Sequence, residues 1–235
     1  MIPLRDKNRS LTTPVVNYAL IGVCAVVFLW QFLMGEGGEA LIMQFAVVPQ
    51  AVSLGLGGQA PFIPAFLPLL TSMFLHGGWM HLIGNMIYLY IFGDNVEDRL
   101  GHGRYLFFYL LCGVASAAAQ VLSDPASEIP LVGASGAIAG VLGAYLFLYP
   151  RARILTMIPL MVAFPIIEVP AYLFLGFWIV LQIIQAYLSA GMEVSGGGVA
   201  WWAHAGGFAA GAALLPLFLL GRGRGAKGVE TWEEV

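Results

Sequence analysis

Apolar positions in this chain fall in long unbroken runs rather than alternating with polar ones. Runs of about 18 to 20 such residues can cross roughly 30 Å of hydrocarbon as helices, and continuous runs read as helices rather than barrel strands. The pattern predicts six spans, at about residues 15–34, 79–93, 105–122, 131–149, 171–188 and 199–220. Ser123-Asp124-Pro125 ends the third and Pro150-Arg151 the fourth, while Pro159, Pro165 and Pro170 assign the residues before the fifth to a connecting segment. The first run is longer than a signal-peptide core and no A-x-A-like site follows it, so it is expected to stay in the protein. Residues 35–75 mix Gly and Pro with patches such as Phe62-Ile63 and Phe66-Leu67. They are too apolar for a solvated loop and too broken for a span, so this connection should lie in the interface or re-enter the membrane. The expected fold is all-α: one polytopic membrane domain over residues 1–235, a six-helix bundle with a long, partly embedded first loop.

Composition agrees. Hydrophobic residues make up 60% of the 235 and charged residues 10%, far below the roughly 25% charged residues of a soluble domain. Cys24 and Cys112 sit inside apolar runs without ligand-like spacing and read as packing residues. A net charge of -3 suggests no nucleic-acid partner. The placement of charge says more. All ten Lys and Arg residues (Arg5, Lys7, Arg9, Arg99, Arg104, Arg151, Arg153, Arg222, Arg224 and Lys227) fall in the segments that share a side if both termini are cytoplasmic. The other segments carry only Glu36, Glu39, Asp124, Glu128 and Glu193. By the positive-inside rule both ends are expected in the cytoplasm.

With that topology, polar residues from three spans reach one shallow layer near the outer face. Ser135 stands about one turn into the fourth span, His204 one to two turns into the sixth, and His81 and Asn85 share a face of the second. A lone serine in a span commonly bonds its own backbone, and a lone His or Asn cements a helix contact. The set together points to acyl transfer. Ser135 would be the nucleophile and His204 the general base. Asn85, His81 and the Ser135 amide would donate to the oxyanion, with Gly133 and Gly136 leaving room for backbone to approach. No acid lies at that depth, so a Ser/His dyad is expected rather than a triad. Ala203, Gly207 and Gly211 recur every four residues, as do Gly136 and Gly140, a pattern that lets helices pack closely.

These residues carry a family resemblance. Gly133-Ala134-Ser135-Gly136, Ala203-His204 followed by Gly207 and Gly211, and His81 with Asn85, joined by His76 and the Glu97-Asp98-Arg99-Leu100-Gly101 segment, resemble the rhomboid intramembrane serine proteases of the bacterial six-helix type. The likeness covers about residues 45–212. It implies cleavage of single-span membrane proteins near the outer face by Ser135 and His204, lateral substrate entry past the fifth helix, no cofactor or metal, and residence in a bacterial inner membrane. Two positions depart from the pattern. The first loop lacks the arginine of a Trp-Arg pair, and Ala139 stands where some relatives place a tyrosine against the histidine. The competing readings are a catalytically inactive rhomboid-fold binding or quality-control protein, a metal site of His76, His81 and His204, and a transporter. Both dyad residues are present, the five-residue spacing of His76 and His81 does not put them on one helical face, and the polar groups are shallow rather than at the midplane.

Overall fold

The computed structural model describes residues 1–160, 164–189 and 199–221. In chain order the elements are β1 (Ile2–Asp6), α1 (Val15–Leu33), α2 (Glu36–Phe45), α3 (Pro49–Leu56), α4 (Phe62–Phe66), α5 (Pro68–Thr71), a 3-10 turn (Ser72–Phe74), α6 (Trp79–Leu100), α7 (His102–Ser123), α8 (Ser135–Leu148), β2 (Arg153–Met157), β3 (Ile166–Pro170), α9 (Ala171–Ser189) and α10 (Trp201–Leu219). Glu193, Arg222, Arg224 and Lys227 from the charge pattern lie outside the described residues.

Helices α1, α7, α9 and α10 are each long and apolar enough to cross a membrane. The segment Phe62–Phe74 joins α6 at a 75° bend, and the pair together also passes that test. The protein is an integral membrane protein built as a polytopic helical bundle.

Two helix boundaries differ most from the hydropathy pattern. Helix α6 continues through Asp94 to Leu100 because its charged end is bonded rather than solvated. Glu97 is fully buried and accepts the backbone N–H groups of Val16 (2.9 Å) and Asn17 (2.6 Å). A carboxylate there satisfies amides that a helix start leaves without partners, at the positive end of the α1 dipole. Helix α8 begins at Ser135, later than its apolar run, because Gly133 holds φ +119° and no helix can include it.

The centre of the molecule is α8, in which every residue from Gly136 to Tyr145 is buried. A helix apolar on all sides is one enclosed on all sides. It meets α10 backbone to backbone: a Cβ on Gly207 would strike the Gly136 carbonyl, and one on Gly211 the backbone of Gly140. The side chains of Ser116 and Cys112 on α7 close on the other faces of Gly136 and Gly140.

The first loop is anchored without arginine. Val47 and Leu131 exchange backbone hydrogen bonds (3.0 and 2.8 Å), Gln50 N–H donates to the Ser127 carbonyl (3.0 Å), and Gly133 N–H donates to the Ser72 carbonyl (2.9 Å). Phe62 and Ile63 remain outward-facing and 74% and 68% exposed, as suits an apolar segment that meets lipid rather than water.

At the opposite end from Ser135 the bundle adds a small antiparallel sheet of order β1-β2-β3. Strand β1 is tied to the bundle through Asp6, which accepts from the Tyr145 hydroxyl (2.6 Å) and Asn95 Nδ2 (3.0 Å). Burial, against which the Tyr145 hydrogen bond works, pushes the Asp6 carboxyl up to about 7. A carboxyl raised in the fold keeps a proton that the unfolded chain surrenders near 4. Its contribution therefore favours the fold below about 4 and is lost as pH rises to about 7. Thermal unfolding in detergent should show a midpoint that drops from pH 5 to pH 8, and Asp6→Asn should flatten that drop; an undiminished drop in the variant would place its cause elsewhere.

Candidate active site

The N-terminal ends of α6, α8 and α10 meet in one layer. Ser135 is the first residue of α8, and His204 stands in the first turn of α10. Their side chains touch: the Ser135 hydroxyl donates to His204 Nε2 at 2.8 Å. Three helix N-termini facing one spot concentrate partial positive charge there, and the first-turn amides of α8 have no partners within their own helix.

Beside the serine, α6 supplies two donors. His81 Nδ1 accepts from Gly77 N–H (3.4 Å), which leaves the proton on Nε2. That nitrogen lies against Gly133: a Cβ there would sit 2.6 Å from His81 Nε2 and 3.5 Å from Asn85 Nδ2. Asn85 is 8% exposed, and its Nδ2 has no hydrogen-bond partner among the described residues. A buried donor left unpaired costs free energy. Here two donors converge on the bare Cα of a glycine beside the Ser135 hydroxyl, an arrangement able to stabilise negative charge. His76 stands behind them, 1% exposed, with its ring edge-on to His81 at 5.3 Å between centroids. A reciprocal pair of hydrogen bonds between its backbone and the Gln31 amide holds it there.

A narrow pocket of about 40 Å³ opens next to Ser135, walled by Ser116, Gly133, Gly136, Ala200 and Ala203. It has room for water or a small side chain, since a water needs roughly 10 to 15 Å³ measured this way.

The five residues of the expected site (Ser135, His204, His81, Asn85 and Gly133) thus come together, and Gly136, Gly140, Gly207 and Gly211 line the contact that brings α8 to α10. Ser135 differs in position from its expected place, since it opens the helix instead of lying a turn inside it. What holds His204 was not foreseen. Ala139 is buried and offers no ring. Instead α9 approaches, with Trp178 tilted against the imidazole (5.8 Å between centroids) and Gln182 Oε1 2.6 Å from Nδ1. Trp201 closes edge-on from α10 itself. Trp178 and Gln182 lie four residues apart on one helical face, and a glutamine inside an apolar run was the available signal. Among the described residues no group of three His, Cys, Asp or Glu side chains could hold a metal.

The sequence pattern of the rhomboid domain matches residues 64–221, more than half the chain and all of the site just described. The chain belongs to the rhomboid family. Rhomboid protein 1, mitochondrial, of Saccharomyces cerevisiae is 28% identical over 195 residues, covering 81% of this chain and 49% of that protein. Rhomboid protease GluP of Bacillus subtilis is 43% identical over 79 residues, which are 34% of this chain and 15% of that protein. Putative rhomboid protease YdcA of the same organism is 36% identical over 80 residues, 34% of this chain and 40% of that protein. The chain spans about half the length of the yeast relative and smaller shares of the other two. The bundle is a rhomboid fold, and membership of the family supports a serine protease.

Proposed function

We propose that this rhomboid is an active intramembrane serine endopeptidase that cuts single-span membrane proteins within or near their transmembrane helix, close to the outer face. The observation that carries the reading is the 2.8 Å hydrogen bond from Ser135 to His204 Nε2. A nucleophile and base within hydrogen-bond reach are what acyl transfer requires.

In the first step His204 Nε2 takes the hydroxyl proton as Ser135 Oγ bonds to the scissile carbonyl carbon. The carbonyl oxygen becomes an oxyanion beside Asn85 Nδ2, His81 Nε2 and the Ser135 amide. As the carbon–nitrogen bond breaks, Nε2 returns the proton to the leaving amine. Water then attacks the acyl-enzyme by the same route in reverse.

Sidedness is supported by charge: the described basic residues Arg5, Lys7, Arg9, Arg99, Arg104, Arg151 and Arg153 belong to the end away from Ser135. Under the positive-inside rule the site then faces outward. The bilayer is that of a bacterial cytoplasmic membrane in this reading.

Purified protein in detergent should cleave a single-span reporter and take up a fluorophosphonate label at one residue; failure of both would sink the protease reading. Asn85→Ala should slow turnover by about 10²- to 10³-fold, the usual cost of one oxyanion donor. An unchanged rate would remove Asn85 from the site.

A further inference from the structure

The geometry points to Gln182 of α9 as the positioning residue for His204, supplying with a neutral amide the orientation that a carboxylate supplies in a Ser-His-Asp triad. The inference rests on the dyad reading above. His204 Nδ1–H donates to Gln182 Oε1 at 2.6 Å while Nε2 accepts from Ser135 at 2.8 Å. The two bonds together allow one neutral tautomer. With the proton on Nδ1, the Nε2 lone pair faces the serine hydroxyl and can take its proton. With the proton on Nε2, two donors would confront each other at Ser135, and Gln182 Oε1 would meet a second acceptor at Nδ1.

The amide suits its surroundings. Helices α8, α9 and α10 contain no Asp, Glu, Lys or Arg, and Gln182 is 8% exposed. An ionised carboxylate buried there would cost far more than a neutral amide. Gln182 gives up the added stabilisation of imidazolium that a carboxylate brings, and keeps the tautomer and the ring orientation.

Placement on α9 has a consequence. Trp178, which lies against the imidazole ring, comes from the same face of the same helix. The base on α10 is thus oriented from a neighbouring span. His204 is held in its working tautomer only while α9 stands against α10.

The test uses the full chain in detergent with a single-span reporter, comparing wild type, Gln182→Met and Gln182→Glu. Methionine keeps the length and removes the acceptor. It should lower kcat roughly tenfold to a hundredfold, at or below the 10²- to 10⁴-fold that acid–base catalysis contributes, with KM within about twofold. Glutamate offers an acceptor oxygen in either protonation state and should recover most of the lost rate. A Met variant at wild-type kcat, a loss carried by KM, or a Glu variant as slow as the Met variant would each overturn the role. Nitrogen-15 NMR of the wild-type histidines, with His204 assigned through His204→Ala, decides the matter even if the Met variant does not fold. The proton is expected on Nδ1, and a proton on Nε2 overturns the assignment. If Ser135→Ala still cleaves, the dyad reading fails; if Ser135→Ala is silent and Gln182→Met is fully active, only the role of Gln182 fails.

Discussion

Ser135→Ala should reduce reporter cleavage to background and abolish fluorophosphonate labelling. The hydroxyl is the group poised on His204 Nε2, and alanine removes it without adding volume at the start of α8. Loss of a serine nucleophile costs on the order of 10⁶ in kcat where it has been dissected in a soluble protease, more than a cleavage assay in detergent can follow. His204→Ala should cost about as much, and the double variant little more, because the two act as one unit. The variant should still extract and unfold cooperatively, since among the described residues the Ser135 hydroxyl bonds only to His204. Residual labelling or cleavage in Ser135→Ala would move the nucleophile to another residue.

Gly211→Ala should be nearly as damaging to activity, though it lies two helical turns below the dyad. Its added Cβ would collide with the carbonyl oxygen, carbonyl carbon and Cα of Gly140, all backbone atoms with no rotamer to yield. Relief requires α10 to move away from α8. Overpacking of this kind costs about 1 to 3 kcal/mol of stability, and a displacement of about 1 Å at the reacting groups can cost on the order of 10² in rate. Gly22→Ala on α1 is the matched control, because a Cβ there meets nothing within 4 Å. Alanine at that position should hold or raise stability by up to about 1 kcal/mol through helix propensity. If both variants cleave and melt alike, backbone contact between α8 and α10 is not what sets the distance from Ser135 to His204.

The residues of the candidate site were legible in the sequence because hydrocarbon makes polar residues conspicuous. Ser135, His81, Asn85 and His204 stand out within apolar runs, where an unpartnered polar group is expensive. The close packing of α8 on α10 was legible for a related reason, since glycines repeated every four residues have little use in a helix except to admit a neighbour. Gln182 carried the same polar signal, yet nothing local tied it to His204, 22 residues away. The sheet was hidden too. Its register joins Ile2 to Met157 and Pro3 to Thr156, and pairing of strands so far apart leaves no periodicity in short segments that also contain proline and charge.

By itself the sequence determined that the chain is a membrane-embedded helical bundle, which residues within it are chemically unusual, and which helix faces are small enough to meet. Those are local properties, set by transfer of side chains from water and by the period of the helix. Only the tertiary structure decided that Gly133 delays the start of α8 to Ser135, that α6 turns two donors onto that glycine, and that α9 brings Gln182 and Trp178 to His204. These follow from the approach of helices distant in the chain. Steric contact between backbones sets that approach, and hydrophobicity along the chain does not record it.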